Sequence, residues 1–120
     1  MMQEFEIIFY EKADGSEPVK EFLLSVDIKM RAKLLKIMEL LAANGTDLRM
    51  PYSEYLSDGI FEIRAKCGSD ISRVLYFFVF GRKIILTNGF IKKTQKTPKN
   101  EMELAKKYRS DFLRREGELK

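Results

Sequence analysis

The chain has 120 residues, 45% hydrophobic and 33% charged, with a formal net charge of +4. This length suits one compact domain over residues 1–120, and the composition excludes a disordered chain. There is no histidine and one cysteine, Cys67, which excludes an intrachain disulfide, a zinc site of Cys/His type, and Ser-His-Asp or Cys-His catalysis.

From the N-terminus, MMQEFEIIFYEK carries acids early and lacks a basic start with an apolar middle, so no secretory signal is expected. A cytoplasmic location fits this and the lone thiol, and no apolar run approaches the ~20 residues of a membrane helix. Phe5 to Tyr10, FEIIFY, is rich in aromatic and β-branched residues and predicts a strand. Asp14-Gly15-Ser16 is a turn cluster; Ser16 can cap a short helix with Pro18 in its first turn, running to about Ser25. Asp27 can cap a longer helix. Its Met30, Leu34, Ile37, Met38 and Leu41 recur at three- and four-residue spacing, with Lys29, Lys33 and Lys36 on the opposite face. Asn44-Gly45 supplies its stop.

Thr46 to Ser57, with Pro51 and two tyrosines, reads as a loop, and Asp58-Gly59 as a turn. IFEIRAK then alternates: Phe61, Ile63 and Ala65 face one way, Glu62, Arg64 and Lys66 the other. Cys67-Gly68-Ser69-Asp70 predicts a hairpin turn into a strand from Ser72 to Phe80, apolar on both faces except for Arg73. Another strand spans Lys83 to Thr87. A last helix runs from about Pro98 to Arg115, with Thr97 as its cap and Leu104, Ala105, Tyr108 and Phe112 as its apolar stripe. The expected order is β-α-α-β-β-β-α, an α+β fold whose mainly antiparallel, twisted sheet is covered by helices.

Charge is unevenly placed. Between Ile60 and Asn100 stand nine Lys/Arg and two acids, net +7, against −3 for the rest. Such concentration is the footprint of a polyanion partner, or a solvated surface. No glycine-rich phosphate loop is present, and Glu62 and Asp70 alone do not make the acidic cluster of a magnesium-dependent nuclease. No metal or cofactor is expected. Fixed cations are the main chemical resource. Counting outward from the turn, Arg64 and Arg73 come near opposite one another, a pairing that wants either an anion or a neighbouring acid such as Glu62. In FIKKTQKTP, residues 90–98, Lys92, Thr94 and Lys96 fall on one side if extended and Lys93, Gln95 and Thr97 on the other, just before helix amides suited to phosphate.

GIFEIRAK, SRVLYFF and IILTNGFIKKTQKTPKNEMELAKKY together resemble the RelE/ParE toxin superfamily, most closely its phage-derived HigB-like branch. The matching features are Glu62-x-Arg64, Arg73-x-Leu75-Tyr76, the Gly89–Pro98 element and Glu101–Ala105. The resemblance implies a RelE-like fold and a type II toxin that cleaves mRNA on the ribosome without a metal, the RNA 2′-OH attacking the adjacent phosphate. It implies a cognate antitoxin as partner, of the DNA-binding helix-turn-helix HigA-like kind. Arg64, Arg73, Lys92, Lys93 and Lys96 carry over as catalytic candidates, and Lys66, Phe90, Thr94, Thr97 and Lys99 as RNA contacts. Tyr76 and Phe90 also read as core residues. The same superfamily includes ParE-like gyrase inhibitors, and a degenerate toxin would only bind its antitoxin.

Overall fold

A computed structural model describes residues 4–92 and 97–118, the side chains of Lys92 and Glu118 excepted. The elements are β1 (Glu6–Phe9), α1 (Pro18–Ser25), α2 (Ile28–Asn44), β2 (Ser53–Ser57), β3 (Ile60–Cys67), β4 (Asp70–Val79), β5 (Lys83–Lys92) and α3 (Lys99–Glu118). The α+β class and mainly antiparallel sheet are those expected. The sheet runs β1-β5-β4-β3-β2, with only β1 and β5 parallel among these pairs.

The expected order lacked β2. Ser53–Ser57 pairs antiparallel with β3 instead of forming a loop, and Ser53 Oγ lies 2.5 Å from the buried Tyr76 hydroxyl. β5 runs five residues past Thr87. Thr87 itself is passed over where the register shifts, its hydroxyl bonding the Leu75 carbonyl, and pairing resumes at Asn88. Gly89 then admits the Phe22 ring, which an added Cβ would meet at 2.5 Å. At the other predicted boundaries, Asp27 caps α2 through the Met30 amide, but Glu17 rather than Ser16 precedes α1. The Ser16 hydroxyl is bonded to Asp14. Gly45 closes α2 at φ 54, against the Phe5 ring.

Alternation in β3 and β4 divides the core between the two faces of the sheet. Val19, Leu23, Leu34, Ile37 and Leu41 of α1 and α2 pack with Ile63, Ala65, Val74 and Tyr76. On the opposite face α3 lays Met102, Ala105, Tyr108 and Phe112 against Ile60, Leu75, Phe77 and Ile85. Leu104 of the expected stripe is half-buried but joins none of these clusters. Polar contacts fix α3 along its length: Asn88 bonds Glu101, Arg109 reaches Asp58, and Tyr10 and Arg115 both bond Asp111. The helix thereby covers the same sheet face on which Glu62, Arg64 and Arg73 stand.

Candidate functional site

Arg64 and Arg73 are direct partners in the β3–β4 register. Like charges in that arrangement repel. The acid that offsets them is Glu62, whose Oε2 lies 3.3 Å from Arg64 Nε and 3.6 Å from Arg73 Nη1. Glu54 of β2 meets Arg64 from the other side at 3.2 Å. Thr97 closes the group: its hydroxyl donates to Glu62 Oε1 at 2.8 Å and accepts from Arg73 Nη1 at 3.3 Å.

That use of Thr97 changes how α3 begins. Thr97 was expected to cap it, with Pro98 as the first helical residue. The Glu101 and Met102 amides instead bond the Pro98 carbonyl, and the helix starts at Lys99. The Thr97 hydroxyl is committed to the sheet.

Arg73 has 0% and Glu62 1% of its surface exposed, whereas Arg64 is only partly covered. Burial pushes the Glu62 carboxyl above the usual carboxylate range, against the lowering influence of Thr97, Arg73 and Arg64. Burial likewise lowers Arg73, against the raising influence of Glu62. Both charged forms are therefore held at a cost. A cleft of about 330 Å³ opens beside the cluster, with Glu54, Tyr55, Ser57, Glu62, Thr97 and Met102 in its wall.

The structure brings Glu62, Arg64, Arg73 and Thr97 together. Phe90 pairs with Arg73 across β4 and β5 and packs with Ile60, Leu75 and Ala105. Lys92 pairs with Ile71 through its backbone, and Lys99 is exposed at the start of α3. Lys66 is exposed two residues beyond Arg64, away from the Glu62 cluster. Lys93, Thr94, Gln95 and Lys96 lie outside the described residues. The described ends of the tract are thus Lys92, paired with Ile71, and Thr97, bonded to Arg73 and Glu62. Tyr76 is core, 1% exposed and stacked on Phe61 at 5.4 Å. Among the described residues no group of three or more His, Cys, Asp or Glu could hold a metal ion.

The sequence model of the family described as Phage derived protein Gp49-like (DUF891) matches residues 21–110. The chain belongs to this family. Gp49-like proteins are a RelE-like toxin family, so the resemblance stands at that level. No curated protein matches the chain. In this Gp49-like chain the matched span runs from α1 to the middle of α3 and includes the whole cluster. Two members were underweighted in the sequence. Glu62 figured as a possible neighbour of the arginines and in the Glu62-x-Arg64 match but not as a site residue, and Glu54 was assigned to a loop. Asn88, which ties β5 to α3, gave one signal: it is an amide inside the apolar run IILTNGF.

The arrangement suits an anion of distributed charge. A guanidinium presents paired donors to phosphate oxygens, and a carboxyl whose affinity for protons is raised by burial is suited to accept one. Among the described residues no helix is long and apolar enough to cross a membrane.

Proposed function

We propose that this Gp49-like chain is a HigB-like toxin of a type II toxin–antitoxin system that cleaves mRNA on the ribosome. The observation that carries the reading is the Arg64–Glu62–Arg73 cluster, joined through Thr97 to the lysine tract, in a chain of a RelE-like toxin family. In the proposed reaction the RNA 2′-oxygen attacks the adjacent phosphorus and the P–O5′ bond breaks, giving a 2′,3′-cyclic phosphate and a 5′-hydroxyl. The 2′-hydroxyl proton passes to Glu62, and the departing O5′ takes a proton from an ammonium of the tract. Arg64 and Arg73 stabilise the charge that grows on the phosphate oxygens. Because Arg73 is fully buried, the segment carrying Thr97 must leave Glu62 when RNA docks. The partner that restrains the toxin is a helix-turn-helix antitoxin of the HigA kind.

The test is growth arrest on induced expression. Arg73→Lys keeps the charge but loses the planar fork, and Lys93→Ala removes one cation of the tract. Each variant is expected to abolish arrest while still co-purifying with the antitoxin. If both remain fully toxic, the cluster and the tract are not the active site.

A further inference from the structure

A second concave site lies across the sheet edge from the Glu62 cluster. β2 stops pairing at Ser53, and the Arg64 amide makes one more bond, to the Tyr52 carbonyl. Beyond that point the edge of β3 faces α2 and residues 50–52. Between them is a cavity of about 570 Å³. Ile37, Leu40, Ile71 and the side chains of Met50 and Tyr52 give it apolar walls, although Met50 is 58% and Tyr52 43% exposed. Among the described residues, every charged one in its wall is a cation: Lys33 and Lys36 from α2, Arg64 and Lys66 from β3. Two of these also meet acids, Arg64 with Glu54 at 3.2 Å and Glu62 at 3.3 Å, and Lys36 with Glu39 at 3.9 Å.

We propose that this cavity binds one nucleotide unit of single-stranded RNA, base against Tyr52 and Met50, phosphate on Lys33, Arg64 and Lys66. The inference rests on the proposed function, because it makes the cavity a subsite for the strand that Arg64 leads away from the cleavage cluster. The volume admits a base and its sugar-phosphate. An exposed aromatic ring beside clustered cations matches a flat π-face attached to an anion. An acidic peptide added as a strand fits less well. The Lys66 carbonyl, the group such a strand would bond, already accepts from Lys33 Nζ at 2.5 Å. A lysine ammonium has three donors, so this bond leaves Lys33 able to meet a phosphate as well.

The experiment measures binding of adenosine 5′-monophosphate, inorganic phosphate and hexaglutamate to the full chain by amide chemical-shift titration. It needs neither ribosome nor cleavage, so it can fail while the proposed function stands, and the reverse. Saturable binding of the nucleotide, with shifts centred on residues 33–40, 50–52 and 64–66, is expected. Lys33→Glu should weaken the nucleotide and phosphate alike by about tenfold, and Tyr52→Ala should weaken the nucleotide by about tenfold while sparing phosphate. The proposal is overturned if the nucleotide does not saturate, if neither variant changes its affinity, if phosphate binds as tightly as the nucleotide, or if hexaglutamate binds more tightly.

Discussion

Replacing Glu62 and Arg73 together by methionine should make the protein more stable and harmless. Glu62 attracts each of two guanidiniums, 3.3 and 3.6 Å away at the nearest atoms. At an effective dielectric near 20, a unit pair about 4 Å apart is worth about 4 kcal/mol. Repulsion between the paired Arg64 and Arg73 offsets part of this attraction. What remains opposes the desolvation of two ions with 0% and 1% exposure, several kcal/mol for each. Burial moves Glu62 up and Arg73 down in pKa, the same balance seen from each partner. Apolar replacement of such a pair is expected to gain about 2 kcal/mol, within the 1–4 known for buried pairs. At roughly 4 °C per kcal/mol that is a rise of about 8 °C in melting temperature. Urea and thermal unfolding by circular dichroism measure it. There is a second readout in pH. A carboxyl raised by folding contributes stability that is present below the ordinary carboxylate range and lost as pH rises through its folded pKa, and the double variant should lack this slope. A loss of more than about 1 kcal/mol, or an unchanged slope, would mean that the buried pair is net stabilising or that Glu62 is not raised by folding.

Thr97→Val removes the hydroxyl shared by Glu62 and Arg73 and should cost about 1–2 kcal/mol, seen as faster hydrogen exchange in the first turn of α3. Gly45→Ala places a Cβ 2.1 Å from the Phe5 ring at φ 54, so urea unfolding should show a loss of more than about 1 kcal/mol. Hydrogen bonding from Tyr10, then from Arg115, holds Asp111 down at about 2 against an ordinary 3.8. The stability this adds is complete above the ordinary value and lost as pH falls through the folded one. Exchange protection at the C-terminal end of α3 should therefore drop below about pH 4, and Asp111→Asn should remove that dependence.

The strands that carry the arginines were legible because a half-buried pleat writes itself in the sequence with a period of two. IFEIRAK places Ile63 and Ala65 in the core and Arg64 on the other face, and the two-residue turn after Cys67 fixes Arg73 opposite Arg64. Local signals failed where a distant partner decided the outcome. SEYLS is short and polar, and β2 exists because β3 offers an edge and Tyr76 a hydroxyl. Asn88-Gly89 looks like a turn, but Glu101 engages the amide and Phe22 fills the space over the glycine. Thr97-Pro98 looks like a helix start, yet Glu62, 35 residues away, holds the threonine hydroxyl. The depth at which Glu62 and Arg73 are buried depends on α3 crossing the sheet, and no pattern within β3 or β4 records that. The cationic tract was legible as charge alone; its anchors, Ile71 and the Glu62 cluster, are features of the fold.

Mapping of RNA 5′ ends after a short pulse of expression decides whether the chain cuts mRNA. New 5′-hydroxyl ends are expected inside translated reading frames, absent when translation initiation is blocked beforehand and absent with Arg73→Lys. Intact mRNA together with arrested DNA supercoiling would contradict the proposed cleavage.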